Sequence, residues 1–479
     1  MTRDDRQLVA GVDSSTQSVK VVIRDARTGA WVREGRAPHP DGTEVDPQAW
    51  WHALGQACSG GLLEGVSAIA VAGQQHGMVA LDDAGAVVRP ALLWNDTRSA
   101  DDAAELTAEF GGPRAFAEAV GSVPLAAFTV SKVRWMARHE PENAQRTASI
   151  MLPHDYLSWL LADRPSEAAT DRGDASGTGY WSPATGDYRR DILRLALGHD
   201  ARLPRVAGPA EAIGEIGGAG RAHLGIDGAD SVVLGPGTGD NMGAALALGI
   251  GPGDVVISLG TSGTAFAGSD APTSDPSGLV AGFADASGRF LPLVCTLNAA
   301  RVLTSTAGLL GVDMDGFARL ALAAEPGSGG LTMLPYLDGE RTPNLPDARG
   351  SLHGISRDNL TPENVARAAV EGMLGGLADA VDALVAVGVT PRRIILVGGA
   401  AANPAVLDVA STLVDVPVQV PPAGEYVADG AARQAAWVLL GGDLPEWAAV
   451  REGDTLVREA NPVPSVRDQY RQARESLYS

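Results

Sequence analysis

The chain has 479 residues, 45% of them hydrophobic, and a formal net charge of −21. That length predicts two or three packed units with ample core. The acidic balance repels polyanions and so excludes nucleic acid and anionic membrane surfaces as expected partners, while a phosphorylated small ligand can still be held by backbone N–H groups and a divalent ion.

Two cysteines, Cys58 and Cys295, lie far apart without metal-ligand spacing, which points to a reducing compartment. No run approaches the roughly 20 apolar residues that span a bilayer. The N-terminal stretch MTRDDRQ carries acids and lacks the apolar core of a signal peptide, so a cytoplasmic location is expected.

In chain order, residues 8–12 and 19–23 predict a hairpin of two apolar strands, with Asp13 at the tip and hydroxyl side chains in the turn. Residues 31–38 read as a further strand. Asp46 and Pro47 read as the cap and first turn of a helix that puts Trp50, Leu54 and Ala57 on one face. Residues 66–81 predict a buried strand, a polar turn through Gln75 and His76, and a second strand. Residues 99–110 and 129–139 read as helices. The stretch 163–190, rich in Asp, Gly, Ser and Thr, reads as long loops over a site, with Asp174 and Thr178 as candidates to cover it.

Near the middle of the chain the opening design recurs. The apolar strand Val255 to Ser258 runs into a small-residue turn, and Thr261 falls where Thr16 falls in the first hairpin. Two halves that each open strand–turn–strand predict a duplicated α/β fold. Residues 361–388 then predict a long amphipathic helix capped by Thr361, and 392–403 a buried strand ending in a Gly-Gly turn. A helix from Pro404, a strand over 416–420, an Ala-rich helix over 426–441 and a polar amphipathic helix over 462–479 complete the chain.

No GxxxxGK[ST], GxGxxG with a following acid, GxSxG, HExxH or paired CxxC occurs, which sets aside the standard P-loop, the dinucleotide fold and the common hydrolase and zinc motifs. Three strand-end turns of Gly, Ser and Thr remain, at 13–18, 258–263 and 398–403. Such turns present successive N–H groups to an anion, and two facing hairpins can hold a polyphosphate. Asp13 would then serve Mg²⁺, which takes one or two carboxylates plus phosphate oxygens. The same turns are also ordinary hairpin chemistry. Asp240, after Gly-Thr-Gly and before an Ala-rich helix, reads as a helix cap and equally as an ionised carboxylate able to take a proton from a hydroxyl. His76 reads as a packed turn residue or as a functional group.

These residues carry a resemblance to the FGGY carbohydrate kinases over nearly the full length. The Asp13 hairpin, DPQAWW (46–51), AGQQHGMVALD (72–82), RPALLWNDTR (89–98), LPHDYL (152–157), GTGDN (237–241), SLGTSG (258–263) and LPYLDGERTP (334–343) occur in order. The second family signature runs from Gly350 through Leu352, Gly354 and Ile355 to Asn364, Val365 and residues 368–371. The His-Gly and Trp-Asn-Asp segments are most similar to the members that act on xylulose.

The resemblance implies an α/β fold of two actin-like (ribonuclease H-like, ASKHA superfamily) domains with a catalytic cleft between them. Residues 1–248 would form the domain for the sugar and the base, and 249–479 the nucleotide domain, with the last helix packing back on the first. It implies ATP-dependent phosphorylation of D-xylulose at O5, with ATP and Mg²⁺, a small sugar as partner, and room for a homodimer. Another ketose or polyol (ribulose, arabinitol, glycerol, gluconate), or a non-catalytic actin-fold switch, are the alternatives.

Residue by residue, the resemblance makes Asp240 the catalytic base and Asp13 the acid that supports Mg²⁺ and the transferring phosphate. Gln75, His76 and Asn241 fall at sugar contacts. Thr16, Ser18 and Lys20 lie in the first phosphate hairpin, Thr261 and Gly263 in the second, and Gly398, Gly399 and Asn403 border the nucleotide. Three positions depart from the pattern: Ser15 and Ser18 stand where many relatives have Gly, Gln75 where some have Met, and Ala400 where some have a third Gly.

Overall fold

The computed structural model describes residues 7–228, 230–447 and 453–478. The chain forms two compact units: one of Met1–Gly249, Asp270–Leu291 and Gly424–Arg451, the other of Ile250–Ser269, Pro292–Ala423 and Glu452–Ser479.

In the first unit, strand β1 (Leu8–Ser14) turns through residues 15–17 into β2 (Ser18–Asp25), and β3 (Trp31–Pro38) lies outside β2. The hairpin register sets Asp13 opposite Lys20. On its other side β1 runs parallel to β4 (Val66–Gly73), with Ser14 opposite Gly73. The two-residue strand β5 (Thr238–Gly239) runs parallel to the end of β4, Gly239 opposite Gly73. Parallel strands covered on both faces read as near-continuous apolar runs, and these do.

One face buries Val12, Ile23, Ile69 and Val71 against Trp50 and Leu54 of the helix Pro47–Ala57. Asp46 caps that helix by accepting from the N–H of Gln48, and Pro47 occupies its first position, where no N–H is needed. The other face buries Val9, Val22, Ala68, Ala70 and Ala72 against five alanines of the helix Tyr426–Leu440. Alanine is required there because the helix lies directly on the strand. A Cβ on Gly11 would stand 1.9 Å from the Ala428 carbonyl oxygen, and one on Gly430 would stand 1.8 Å from the carbonyl oxygen of Gly243 in the helix Asp240–Leu248.

The second unit repeats the plan. Strand β6 (Asp254–Leu259) turns through residues 260–262 into β7 (Gly263–Ala267), which pairs antiparallel with β8 (Phe290–Thr296). On its other side β6 runs parallel to β9 (Arg393–Val397), followed by β10 (Val418–Val420) and β11 (Leu456–Arg458). Each unit thus has a hairpin with a three-residue turn, one parallel neighbour and one antiparallel neighbour. The long helix Pro362–Ala386, capped by Thr361, is buried along most of its length.

Two expectations are corrected. The segment that rejoins the first unit is 424–451, not the last helix, which spans Pro464–Tyr478 and packs within the second unit, where Tyr470 and Ala473 meet Leu334 and Tyr336. The stretch 163–190 is not a loop cover. It folds into the short strands Ala169–Asp171, Trp181–Ser182 and Asp187–Tyr188 and the helix Arg172–Ser176, with Asp174 and Thr178 buried.

Candidate active site

In the first unit β1, β4 and β5 are parallel neighbours, and polar residues cluster at and just beyond their C-terminal ends. Ligands of open α/β sheets bind at such an edge. Asp13 stands one residue before the end of β1, Gln74, Gln75 and His76 come directly after β4, and Asp240 comes after β5 as the first residue of the helix Asp240–Leu248.

Asp240 is bound locally. Its Oδ1 accepts from the Asn241 backbone N–H at 2.8 Å and from Asn241 Nδ2 at 2.9 Å. Asn241 Nδ2 also reaches Gln75 Oε1 at 3.0 Å. Gln75 Nε2 and both amide atoms of Gln74 are buried without a hydrogen-bond partner among the described residues. Buried polar groups are costly when unpaired, so these atoms suit a ligand rich in hydroxyls.

His76 sits in the left-handed region at φ 68°, a strained conformation for a residue with a Cβ and one that clusters at functional sites. The ring is stacked on Phe128 with centroids 4.8 Å apart, and its Nδ1 lies 2.6 Å from the Gly177 carbonyl oxygen. A carbonyl only accepts, so Nδ1 carries a proton.

The hairpin turn is equally well held. Ser15 donates its hydroxyl to Asp13, and His39 Nδ1 lies 2.8 Å from the Ser15 carbonyl oxygen. Trp94 Nε1 donates to Thr16 Oγ1 at 2.8 Å, which leaves the threonine its own proton to give. Ser18 is buried at the start of β2. No residue of 14–18 has a positive φ, so Ser15 and Ser18 need no glycine-like backbone. Lys20 lies 3.9 Å from Asp13 and pairs with Glu425, at the head of the helix Tyr426–Leu440.

Electrostatics couples the two aspartates. Burial pushes Asp13 up to about 6, against the Ser15 hydroxyl and Lys20, with Glu425 adding to the rise. Burial, and after it the charge of Asp13, pushes Asp240 up to about 7, against the hydrogen bonds of Asn241. A buried carboxylate raised further by a neighbouring carboxylate favours a cation or a proton beside it.

In the second unit, Thr261 is exposed at the middle of the β6–β7 turn, the position that half-buried Thr16 holds in the first. Gly263 is a packing glycine: a Cβ there would stand 2.5 Å from Thr296 Oγ1. Gly398 and Gly399 are exposed just past β9, whose Val397 is opposite Ser258 of β6. Gly398 has φ 93°, and a Cβ there would stand 2.7 Å from the Leu259 carbonyl oxygen. The Gly398 turn and the Thr261 turn therefore share one edge of the sheet. Asn403 caps the helix Pro404–Ala410, its Oδ1 accepting from Ala405 N–H at 3.0 Å.

Several residues near the first-unit cluster escape a reading of the chain in order. His39 and Glu425 carry no motif of their own, and Gln74 and Trp94 lie in matched segments without a role of their own there. His154, Asp155, Asp171 and Asp174 form a buried ionic group, signalled only by charged residues within the apolar LPHDYL stretch.

The model of the FGGY family of carbohydrate kinases matches as its N-terminal domain over residues 8–247 and its C-terminal domain over 255–439. A xylulose kinase of Streptomyces coelicolor is 47% identical over 92% of this chain and 90% of its own. One from Streptomyces rubiginosus is 45% identical over the same shares. The crystal structure of xylulose kinase from Bifidobacterium adolescentis superposes with a TM-score of 0.89 at 44% identity, covering 98% of this chain and 99% of that one. The chain belongs to the FGGY family of carbohydrate kinases.

Proposed function

We propose that the protein transfers the terminal phosphoryl group of ATP to O5 of D-xylulose. The observation that carries the reading is Asp240, hydrogen-bonded to Asn241 with Gln75 beside it, at the sheet edge that also carries Asp13. The named activity of the similar xylulose kinases supports the choice of sugar.

In this reading Gln75, His76 and Asn241 bind the ketose. Asp240 takes the proton from O5 as the oxygen attacks, a step worth typically 10²–10⁴-fold in rate. Thr16, Ser18 and Lys20 meet phosphate in the first unit. In the second, Thr261 and Gly263 meet phosphate, and Gly398, Gly399 and Asn403 border the nucleotide. Phosphoryl transfer needs positioning and charge stabilisation more than covalent chemistry, and these residue types supply that.

The described residues hold no group of three or more His, Cys, Asp or Glu able to cage a metal ion. A buried aspartate raised by burial and by a second carboxylate does fit Mg²⁺, which is held by one or two carboxylates together with substrate phosphates. Asp13 would hold it, directly or through water. Mg²⁺ bound there would neutralise charge on the transferring group.

A panel of D-xylulose, D-ribulose, arabinitol, glycerol and gluconate, scored by ADP release, tests the assignment. D-xylulose should give the highest kcat/KM. A higher value for another acceptor would replace the sugar, and no ADP release with any acceptor would leave the switch reading. Asp13→Asn should lower kcat and raise the Mg²⁺ concentration needed for half-maximal rate. An unchanged Mg²⁺ dependence would remove Asp13 from that role.

A further inference from the structure

Four ionisable side chains of the first unit are almost wholly buried and take no part in phosphoryl transfer itself. His154 is 0% exposed, Asp174 0%, Asp155 1% and Asp171 2%. His154 Nδ1 lies 2.8 Å from Asp174 Oδ2, and His154 Nε2 lies 3.1 Å from Asp155 Oδ1 and 4.0 Å from Asp171 Oδ1. Burial alone would strip the imidazole of its proton. The carboxylates of Asp155, Asp174 and Asp171 outweigh it and raise His154 to about 9. Such groups cost more to bury than well-packed apolar residues of the same volume. Their stability contribution therefore does not explain them, and their connections do.

Asp171 caps the helix Arg172–Ser176, accepting from Gly173 N–H at 2.8 Å and Asp174 N–H at 2.9 Å. Its Oδ2 also accepts from Thr238 Oγ1 at 2.9 Å, and Thr238 lies two residues before Asp240. At the other end of the same helix, the Gly177 carbonyl accepts from His76 Nδ1. Asp174, between these two contacts, is the residue bonded to His154. His154 also packs against the glycines at the end of β4 and just before β5. A Cβ on Gly73 would stand 3.1 Å from His154 Cβ, and one on Gly237 would stand 2.6 Å from His154 Cδ2.

We propose that His154 is a positioning residue of the sugar site: its bond to Asp174 fixes the segment 172–177 whose Gly177 carbonyl orients His76, while Asp171 in the same cluster tethers Thr238 and with it the strand leading to Asp240. The proposal rests on the sugar-kinase reading above. The two arms act on different steps. The His154–Asp174 arm works through a sugar-binding residue and sets KM for the sugar. The Asp171–Thr238 arm works through the base and sets kcat.

Three variants of the full chain separate these arms. His154→Leu removes the donor to Asp174, His154→Asn keeps an N–H donor close to the position of Nδ1, and Thr238→Val removes one hydroxyl at constant shape. Misplacing a reacting group by about 1 Å can cost on the order of 100-fold. His154→Leu should accordingly raise sugar KM by at least about tenfold with ATP KM held within about twofold, and His154→Asn should recover most of that loss. Thr238→Val should lower kcat by about tenfold at unchanged sugar KM.

Equal sugar KM for the Leu and Asn variants, or parallel rises in sugar and ATP KM, would overturn the proposal. Should His154→Leu not fold, an unchanged kcat in Thr238→Val would overturn the tether. Hydrogen exchange gives a readout that needs no sugar: residues 172–178 and 74–77 should exchange faster in His154→Leu than in His154→Asn. Should the unsubstituted protein phosphorylate no acceptor, the sugar-kinase reading fails. Equal exchange in the two variants would separately sink the clamp.

Discussion

Asp240 is asked to do two things that conflict. Taking a proton requires it to be ionised, yet burial and the neighbouring Asp13 favour its neutral form and lift it from an ordinary 3.8 to about 7. Since the raised value belongs to the folded state, the stabilising form is the protonated one. Its contribution is fully present below the unfolded value and is lost as pH rises through about 7. Asp240→Asn mimics that protonated form at every pH. We expect it to raise Tm relative to the parent at pH 8 while leaving Tm nearly equal at pH 4, and to cut kcat by about 10²–10⁴-fold or more. Thermal scans at the two pH values check the first part, and an equal offset at both would contradict the coupling. The parent's kcat/KM for sugar should rise with pH through the region near 7 as the base ionises. At this scale the sequence spoke clearly about residue types: Asp13, Gln75 and His76 sit at the strand ends where the chain placed them, while Asp240, read as a helix cap, is the first residue of its helix, with Gly239 in the cap position. Their coupling was not legible, because it depends on two residues more than two hundred positions apart sharing one sheet edge.

The two hairpins show what could be read at the level of elements. Both turns have three residues with threonine in the middle, 15–17 and 260–262, and an apolar run into a hydroxyl-rich break is enough to announce that. Ser15 and Ser18 depart from the family pattern without cost to the turn. The backbone stays out of the left-handed region throughout that turn. The stretch 163–190 was misread for the opposite reason. Its elements are two to five residues long, too short for any periodicity, and they are held by tertiary hydrogen bonds such as Thr238 to Asp171. Close helix contacts were equally hidden. Gly430 lies against the Gly243 carbonyl of the helix that begins with Asp240, with 1.8 Å left for an added Cβ. Gly430→Ala must push the two helices apart. Overpacking of this kind costs about 1–3 kcal/mol, and the shift is transmitted along the helix Asp240–Leu248. Urea unfolding should show the loss of stability, and kcat should fall with it. A variant with unchanged unfolding midpoint would mean that the crossing is looser than it stands.

At the scale of the whole molecule, the first unit is not contiguous in sequence. The chain leaves it after Gly249 and comes back for Asp270–Leu291 and for Gly424–Arg451. The second return is decisive for stability, since the five alanines of the helix Tyr426–Leu440 cover the face made by Val9, Val22, Ala68, Ala70 and Ala72. A buried pair crosses the same seam: Arg24 and Asp429 are 2.6 Å apart with almost no exposure. Removing one partner of a buried pair is far more costly than its net contribution suggests, about 3–5 kcal/mol, because the remaining charge is stranded. A fragment ending at Gly249 would therefore expose an apolar sheet face and leave Arg24 without Asp429. We expect residues 1–249 alone to lack a cooperative thermal transition and to bind an apolar dye strongly, as compact states without fixed packing do. Joining residues 270–291 and 424–451 to that fragment by flexible linkers should restore cooperativity. The control is Asp429→Asn in the full chain: it keeps the helix in place and removes only the charge, so it should lower Tm without abolishing the transition. A fragment 1–249 that unfolds cooperatively at the parent's Tm would mean that the alanine-faced helix is an accessory to this sheet and not its second wall.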